Sequence, residues 1–355
     1  MFRGCPHCEK PSAIEVRYDY SRLRVRRNRN ATGLHQWREL LPAFDNPVSL
    51  YEGNTPLVPY PVPGSPVRLL IKNETQNPTW SWKDRANAMS SSAARQFGYK
   101  NLVVVSTGNH GNAAAAYSSA AGLRCRVLCN SDVPAVQVQL MRHYGAETII
   151  GDNQEQLLCE LLAGGDWFPG IVICPRIGYA NPFSVEGFKT IAFEIVEQLN
   201  GTVPDRIFVP TGSGDGLYGV AKGFRELVLS GEIERSPRIV CCQARQVNPF
   251  VQAFREGRRH LTRVAGCPTL AASIAEEIGD QVALQAIYDS GGEARDASEV
   301  EIRHAVHQLA HHGLALEPAS AVGLACALAH PEVKSEETWV VIGTGTAIRW
   351  PESYQ

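Results

Sequence analysis

The chain has 355 residues, 44% of them apolar and 20% charged, and a formal net charge of −2. That length accommodates two domains, each with its own core. The near-neutral balance argues against bulk attraction to nucleic acid or a lipid surface, and no run of about 18 apolar residues is present to cross a bilayer.

The start, M-F-R-G-C-P-H-C-E-K, lacks the apolar core of a secretory signal. Ten scattered cysteines, including the adjacent Cys241 and Cys242, suit buried reduced thiols in a cytosol rather than a disulfide framework. Cys5-Pro-His-Cys8 is a C-x-x-C knuckle, which supplies two ligands where a structural zinc site needs four. No second knuckle follows, so a metal-free turn is expected, with Cys5 and Cys8 as weak zinc candidates. Residues 21–30 hold five arginines, and the neutral balance favours a solvated arm there over an anion-binding one.

E-G-N-T-P-L (52–57) reads as a turn closed by proline, and residues 67–71 as an apolar strand. The strand leads into N-P-T-W-S-W-K-D-R (77–85) and a helix over 84–97. Lys83, beside Trp80 and Trp82 at a strand-to-helix junction, is placed to lose hydration and act as an amine nucleophile. A strand at 101–106 enters Ser106-Thr107-Gly108-Asn109-His110-Gly111, followed by a helix of small residues. Strand, glycine loop and small-residue helix let a backbone approach a ligand closely. Strands at 125–129, 148–150 and 171–174 alternate with helices at 136–144 and 154–163. N-P-F-S-V-E-G (181–187) leads into a helix over 188–200.

The strand at 206–210 feeds Thr211-Gly212-Ser213-Gly214-Asp215-Gly216 and a helix through Leu229. Three glycines at alternate positions, at the mouth of a helix, form an anion nest suited to one compact phosphate. The spacing fits neither a Walker loop nor the dinucleotide fingerprint. A strand at 238–243 is followed by a helix-rich stretch to about Ala329. Its histidines, His304, His307, His311 and His312, read as a solvated face rather than a metal site. The last strand, 338–342, ends in Gly343-Thr344-Gly345-Thr346, and a hydroxyl at that end of a parallel sheet sits where open α/β folds bind ligands.

A lysine, an asparagine loop, a monophosphate nest and a terminal threonine make a set that pyridoxal 5'-phosphate needs. The chain resembles the fold-type II pyridoxal-phosphate enzymes, and among them threonine synthase. The resemblance runs through E-G-N-T-P-L, N-P-T-W-S-W-K-D-R, S-T-G-N-H-G-N-A-A-A-A-Y, N-P-F-S-V-E-G-F-K-T-I-A-F-E-I, V-P-T-G-S-G-D-G-L-Y-G and E-P-A-S-A. It implies an α/β fold, tryptophan-synthase-β-like, of two open, mostly parallel twisted sheets with helices on both faces. A large cofactor-binding domain (1–85 and 190–355) and a smaller inserted one (86–189) are expected. It also implies a cytoplasmic homodimer.

By motif, the resemblance implies Lys83 as the Schiff-base lysine and Asn109 as partner of the cofactor's 3'-oxygen. Gly212, Ser213, Gly214, Asp215 and Gly216 would hold the phosphate, and Thr344 would meet the ring nitrogen. Elimination or replacement at Cβ or Cγ of an amino acid is the implied chemistry. The substrate-phosphate set departs from the family pattern. The usual Asn-Ser pair aligns with Gly178 and Tyr179, the usual arginine with Ser184, and Trp80 replaces a glycine. Trp80, Ser81, Ser106, Thr107, His110, Tyr179 and Ser184 are the expected substrate contacts. A substrate other than O-phosphohomoserine is expected. The alternatives are a genuine threonine synthase that grips phosphate with His110, Arg85 or Arg176; a cysteate-synthase-like or dehydratase-like enzyme; and a non-catalytic cofactor-binding protein.

Overall fold

The computed structural model describes residues 14–23, 25–106, 108–170, 173–174, 179–331 and 336–350. Cys5, Cys8, Thr107, Arg176 and Gly178 lie outside the described residues. The first strands are β1 (Leu57–Tyr60), β2 (Arg68–Asn73), β3 (Asn101–Val105), β4 (Arg124–Cys129), β5 (Glu147–Ile150) and β6 (Trp167–Pro169). They are followed by β7 (Ile173–Cys174), β8 (Tyr179–Ala180), β9 (Arg206–Pro210), β10 (Arg238–Ala244), β11 (Glu293–Ala297) and β12 (Thr338–Gly343). Helices are α1 (Lys83–Gln96), α2 (Asn109–Ala120), α3 (Ala135–His143), α4 (Gln154–Ala163), α5 (Pro182–Phe188) and α6 (Thr190–Gln198). The remaining ones are α7 (Asp215–Leu229), α8 (Pro249–Arg255), α9 (Gln281–Asp289), α10 (Glu299–His311) and α11 (Pro318–Leu328).

The chain divides into two compact units, Met1–Asn54 with Asn77–Thr190 and Thr55–Gln76 with Ile191–Gln355. In the first, a sheet of order β5-β4-β3-β6 is parallel throughout, with β7 and β8 as a separate antiparallel pair. Leu102, Val103, Val104, Val127 and Leu128 are all buried. Such unbroken apolar runs are what a parallel strand covered on both faces requires. Helix α2 packs on β4 through its small residues, and a Cβ at Gly111 would stand 2.5 Å from Met141 Cε. Helices α1 and α5 come closer still: a Cβ at Gly187 would lie 2.0 Å from the carbonyl oxygen of Arg85.

The second unit holds a six-stranded sheet of order β1-β2-β12-β9-β10-β11. Strand β1 is antiparallel to β2 and every other pair is parallel. Ile71, Phe208, Val240 and Val341 form its core with Val322 and Leu324 of α11 and Ile302 and Leu309 of α10. A buried ion pair crosses this unit. Lys72 Nζ lies 2.7 Å from Glu194 Oε2 and donates to Thr55 O at 2.6 Å and Gln198 Oε1 at 3.0 Å. The carbonyl and amide acceptors help to offset the desolvation of the ammonium.

The α/β class with two mostly parallel sheets is as the sequence implies. Several local expectations are corrected. Residues 181–187 are not a lead-in but the helix α5 itself, because Asn181 caps it by accepting Phe183 N–H and Pro182 fits its first turn. The helix expected over 188–200 is α6, which begins only at Thr190. The strand expected at 171–174 is preceded by β6, which is the strand that joins the sheet. Strand β11 lies inside the stretch expected to be helix-rich. The expected division assigned all of 1–85 to the larger domain. In the structure only 55–76, which carry β1 and β2, join the second unit. Residues before and after are held in the first unit, where Tyr117 donates to Glu52 at 2.9 Å and Gly53 N–H to Asn77 Oδ1 at 2.8 Å.

Two substitutions test these packing arguments. Gly187→Ala should destabilise the protein by about 3 kcal/mol in urea unfolding, because the methyl meets backbone rather than a movable side chain. Lys72→Met should cost about 3–5 kcal/mol by leaving Glu194 charged and buried, and the double variant with Glu194→Leu should recover much of the loss.

Candidate active site

In the first unit the site residues cluster around the start of α1. A turn in which Trp80 N–H donates to Asn77 O at 2.8 Å brings the chain into the helix. Thr79 donates its N–H, at 2.7 Å, and its hydroxyl to the buried Asp84 carboxylate. Arg85, also buried, donates from Nη1 to Thr190 Oγ1 at 2.8 Å. Lys83, which precedes these two anchored residues, is half-buried. Its Nζ lies 5.3 Å from the Phe188 ring centroid and 5.9 Å from that of Trp82, and the two rings pack 4.9 Å apart. The amine thus rests on an aromatic floor, a contact that suits a cation and limits its hydration.

The neighbouring loop is closed by Ser106, whose Oγ accepts from Gly108 N–H at 3.2 Å and Gly111 N–H at 2.9 Å. Asn109 is buried as the first residue of α2. His110 Nδ1 lies 3.1 Å from Asn87 Nδ2. Ser81 is wholly buried, and its hydroxyl has no hydrogen-bond partner among the described residues. Trp80 holds a left-handed φ of 60° and is 42% exposed. Ser184 donates its hydroxyl to Asn181 O at 2.9 Å, inside the first turn of α5. Tyr179 lies on β8, and Thr107 is outside the described residues.

In the second unit, β9 and β12 pair in parallel, with Val341 opposite Phe208. The turn after β9 and the loop after β12 therefore leave the sheet at the same edge. The turn from Thr211 opens α7, and Gly214 takes a φ of 104°. A Cβ there would meet Ala283 Cβ at 2.5 Å and Phe250 Cζ at 2.9 Å, so only glycine fits. Ser213 Oγ donates to Asp215 Oδ1 at 2.9 Å, and Ser213 O accepts from Asp280 N–H at 2.7 Å. Burial raises the Asp280 carboxyl above its ordinary range, and the charge of Asp215 adds to the shift. Thr344, buried after β12, shares a 2.7 Å hydrogen bond with Ser320 Oγ, which also accepts from Gly345 N–H at 2.8 Å.

Within the second unit, a helix N-terminus behind a glycine turn and a buried hydroxyl at the same sheet edge are groups that suit a phosphate and a ring nitrogen; within the first, an amine on an aromatic floor is a group that suits an aldehyde. Sequence reasoning gave no role to Ser320, although E-P-A-S-A carries it, or to Asn87, one turn beyond Lys83. Among the described residues no group of three His, Cys, Asp or Glu side chains could hold a metal, and His304, His307, His311 and His312 are exposed.

The family described as pyridoxal-phosphate dependent enzyme matches residues 48–345. Threonine synthase of Methanocaldococcus jannaschii is 34% identical, over 98% of this chain and 89% of its own. That of Methanosarcina acetivorans is 31% identical, over 98% and 88%. Maize serine racemase shares the fold with a TM-score of 0.67 at 21% identity, covering 81% of this chain and 87% of its own. The L-serine ammonia-lyase of Rhizomucor miehei does so with 0.69 at 20%, covering 83% and 94%. With a family match over most of its length and relatives at this level of identity, the chain belongs to the fold-type II pyridoxal-phosphate-dependent enzymes, and pyridoxal phosphate is its cofactor.

Proposed function

We propose that the protein catalyses elimination or replacement at Cβ or Cγ of an amino acid, in the manner of threonine synthase but on a substrate other than O-phosphohomoserine. When bound, pyridoxal phosphate supplies an electron sink for charge developing at the substrate's Cα. Lys83 is the residue that holds it covalently and, once released, the base that takes the Cα proton on Nζ. Asn109 binds the 3'-oxygen. Gly212, Ser213, Gly214, Asp215 and Gly216 bind the phosphate, with the α7 N-terminus contributing its dipole. Thr344, oriented by Ser320, meets the ring nitrogen. A hydroxyl there, in place of a carboxylate, leaves the ring largely unprotonated, which favours substrates with a good leaving group. Trp80, Ser81, Ser106, Thr107, His110, Tyr179 and Ser184 are the proposed substrate contacts. A cytosolic homodimer completes the reading.

The observation that carries the substrate proposal is the state of the side chains at the positions of the family's phosphate grip. Ser184 stands where the family has its arginine, and its hydroxyl donates to Asn181 O; Arg85, an alternative cation, is buried and donates to Thr190. The missing arginine, whose paired charge-assisted bonds to a phosphate would contribute about 1.5 kcal/mol each, corresponds to roughly a hundredfold in kcat/KM. The purified holoenzyme should therefore turn over O-phosphohomoserine about a hundredfold less efficiently than threonine synthases do; a family-normal rate would overturn the substrate reading.

The anchor is tested separately. Borohydride treatment of the holoenzyme should fix the cofactor's mass on the peptide carrying Lys83. Lys83→Ala should abolish both that adduct and the visible absorption of bound cofactor. An adduct on another lysine would refute the assignment.

A further inference from the structure

We propose that Asn87 is a positioning residue that fixes His110 as the neutral imidazole with its proton on Nε2. The residue after Asn109 is then an uncharged ring rather than a cation. Asn87 stands four residues after Lys83 on α1 and is wholly buried. Its Nδ2 lies 2.8 Å from the carbonyl oxygen of Lys83 and 3.1 Å from His110 Nδ1. A backbone carbonyl only accepts, so this contact identifies the amide nitrogen: the reversed amide would press two oxygens together. One amide hydrogen goes to Lys83 O and leaves the other for His110. Nδ1 must then present a lone pair, and a neutral ring with a bare Nδ1 carries its proton on Nε2. Among the described residues Asn87 Oδ1 is buried without a hydrogen-bond partner, so the side chain bonds through Nδ2 and not through the oxygen. Protonation of Nδ1 would set N–H against N–H in a buried contact, and turning the amide to accept it would break the bond to Lys83 O.

The consequence for the substrate rests on the proposal that this loop faces the amino acid; the tautomer does not. A neutral donor cannot take the place of an arginine on a phosphate dianion, because the strength of such a bond comes from the charge. The substrate class this favours is an amino acid whose leaving group or side chain presents an oxygen acceptor without dianionic charge.

The test is long-range proton–nitrogen correlation on holoenzyme labelled with nitrogen-15 histidine at neutral pH, with His110→Gln to assign the signals. The expected result is an unprotonated Nδ1 and a protonated Nε2 in the wild type. In Asn87→Asp, whose carboxylate can only accept, the proton should appear on Nδ1. A wild-type ring with the proton on Nδ1, a mixture of tautomers, or a doubly protonated ring overturns the inference, as does an unchanged spectrum in a folded Asn87→Asp protein. The wild-type spectrum decides even where the variant does not fold. Family-normal turnover of O-phosphohomoserine with His110 fixed on Nε2 would remove the substrate reading and leave the tautomer standing. The same turnover with a doubly protonated His110 would remove both.

Discussion

The first unit depends on the backbone contact between α1 and α5. Gly187 brings the two helices close enough that any side chain there would strike the Arg85 carbonyl. That contact buries Asp84 and Arg85 on opposite duties, one accepting from Thr79 and the other donating to Thr190. Each buried charge is thereby hydrogen-bonded, which is the condition for holding it out of water at all. Lys83 precedes both. Its place on the helix is fixed by neighbours that cannot move, while its own amine remains half-exposed over Trp82 and Phe188. The K-D-R triplet thus separates the anchored side chains from the half-buried amine, and a displaced Asp84 or Arg85 would move the amine without touching it.

The second unit solves a different problem with the sheet. Because β9 and β12 are parallel neighbours, the glycine turn and Thr344 emerge at one edge although more than a hundred residues separate them in the chain. The turn is kept open by a φ that glycine alone tolerates at that crowding, between Ala283 and Phe250. Thr344 is oriented by Ser320 from the start of α11. Backbone donors and a held hydroxyl are rigid groups, and rigid groups bind a cofactor without reorganising on each turnover.

Much of this was legible in the sequence, for identifiable reasons. Apolar runs, glycine turns and small-residue helices are local signals, and they gave the strands and helices that flank Lys83, Asn109, the glycine turn and Thr344. What escaped were features set by distant partners. E-A-R-D-A has no strand-like pattern, yet it forms β11 because β10 offers it a parallel edge. Asn87 and Ser320 are polar residues inside helices, and nothing in their neighbourhood marks them. Their roles exist only once α2 and the loop after β12 are brought beside them.

Trp80 gives the substrate question a physical edge. A left-handed φ costs a residue with a Cβ about 1–2 kcal/mol, and the family's glycine would meet this turn without that cost. An aromatic side chain could offset the strain by burial, but Trp80 remains 42% exposed, so the fold recovers only part of it. Strain that the fold does not repay is most often retained where a ligand uses it. Ser81, next in the chain, is buried with an unpartnered hydroxyl, a second cost of the same kind at the same turn. Both costs lie within three residues of Lys83, where the proposed function would seat the amino acid. An apolar ring and a single hydroxyl are poor company for a phosphate dianion and good company for a less charged side chain. The altered turn and the neutral His110 proposed above would favour the same change of substrate by independent routes.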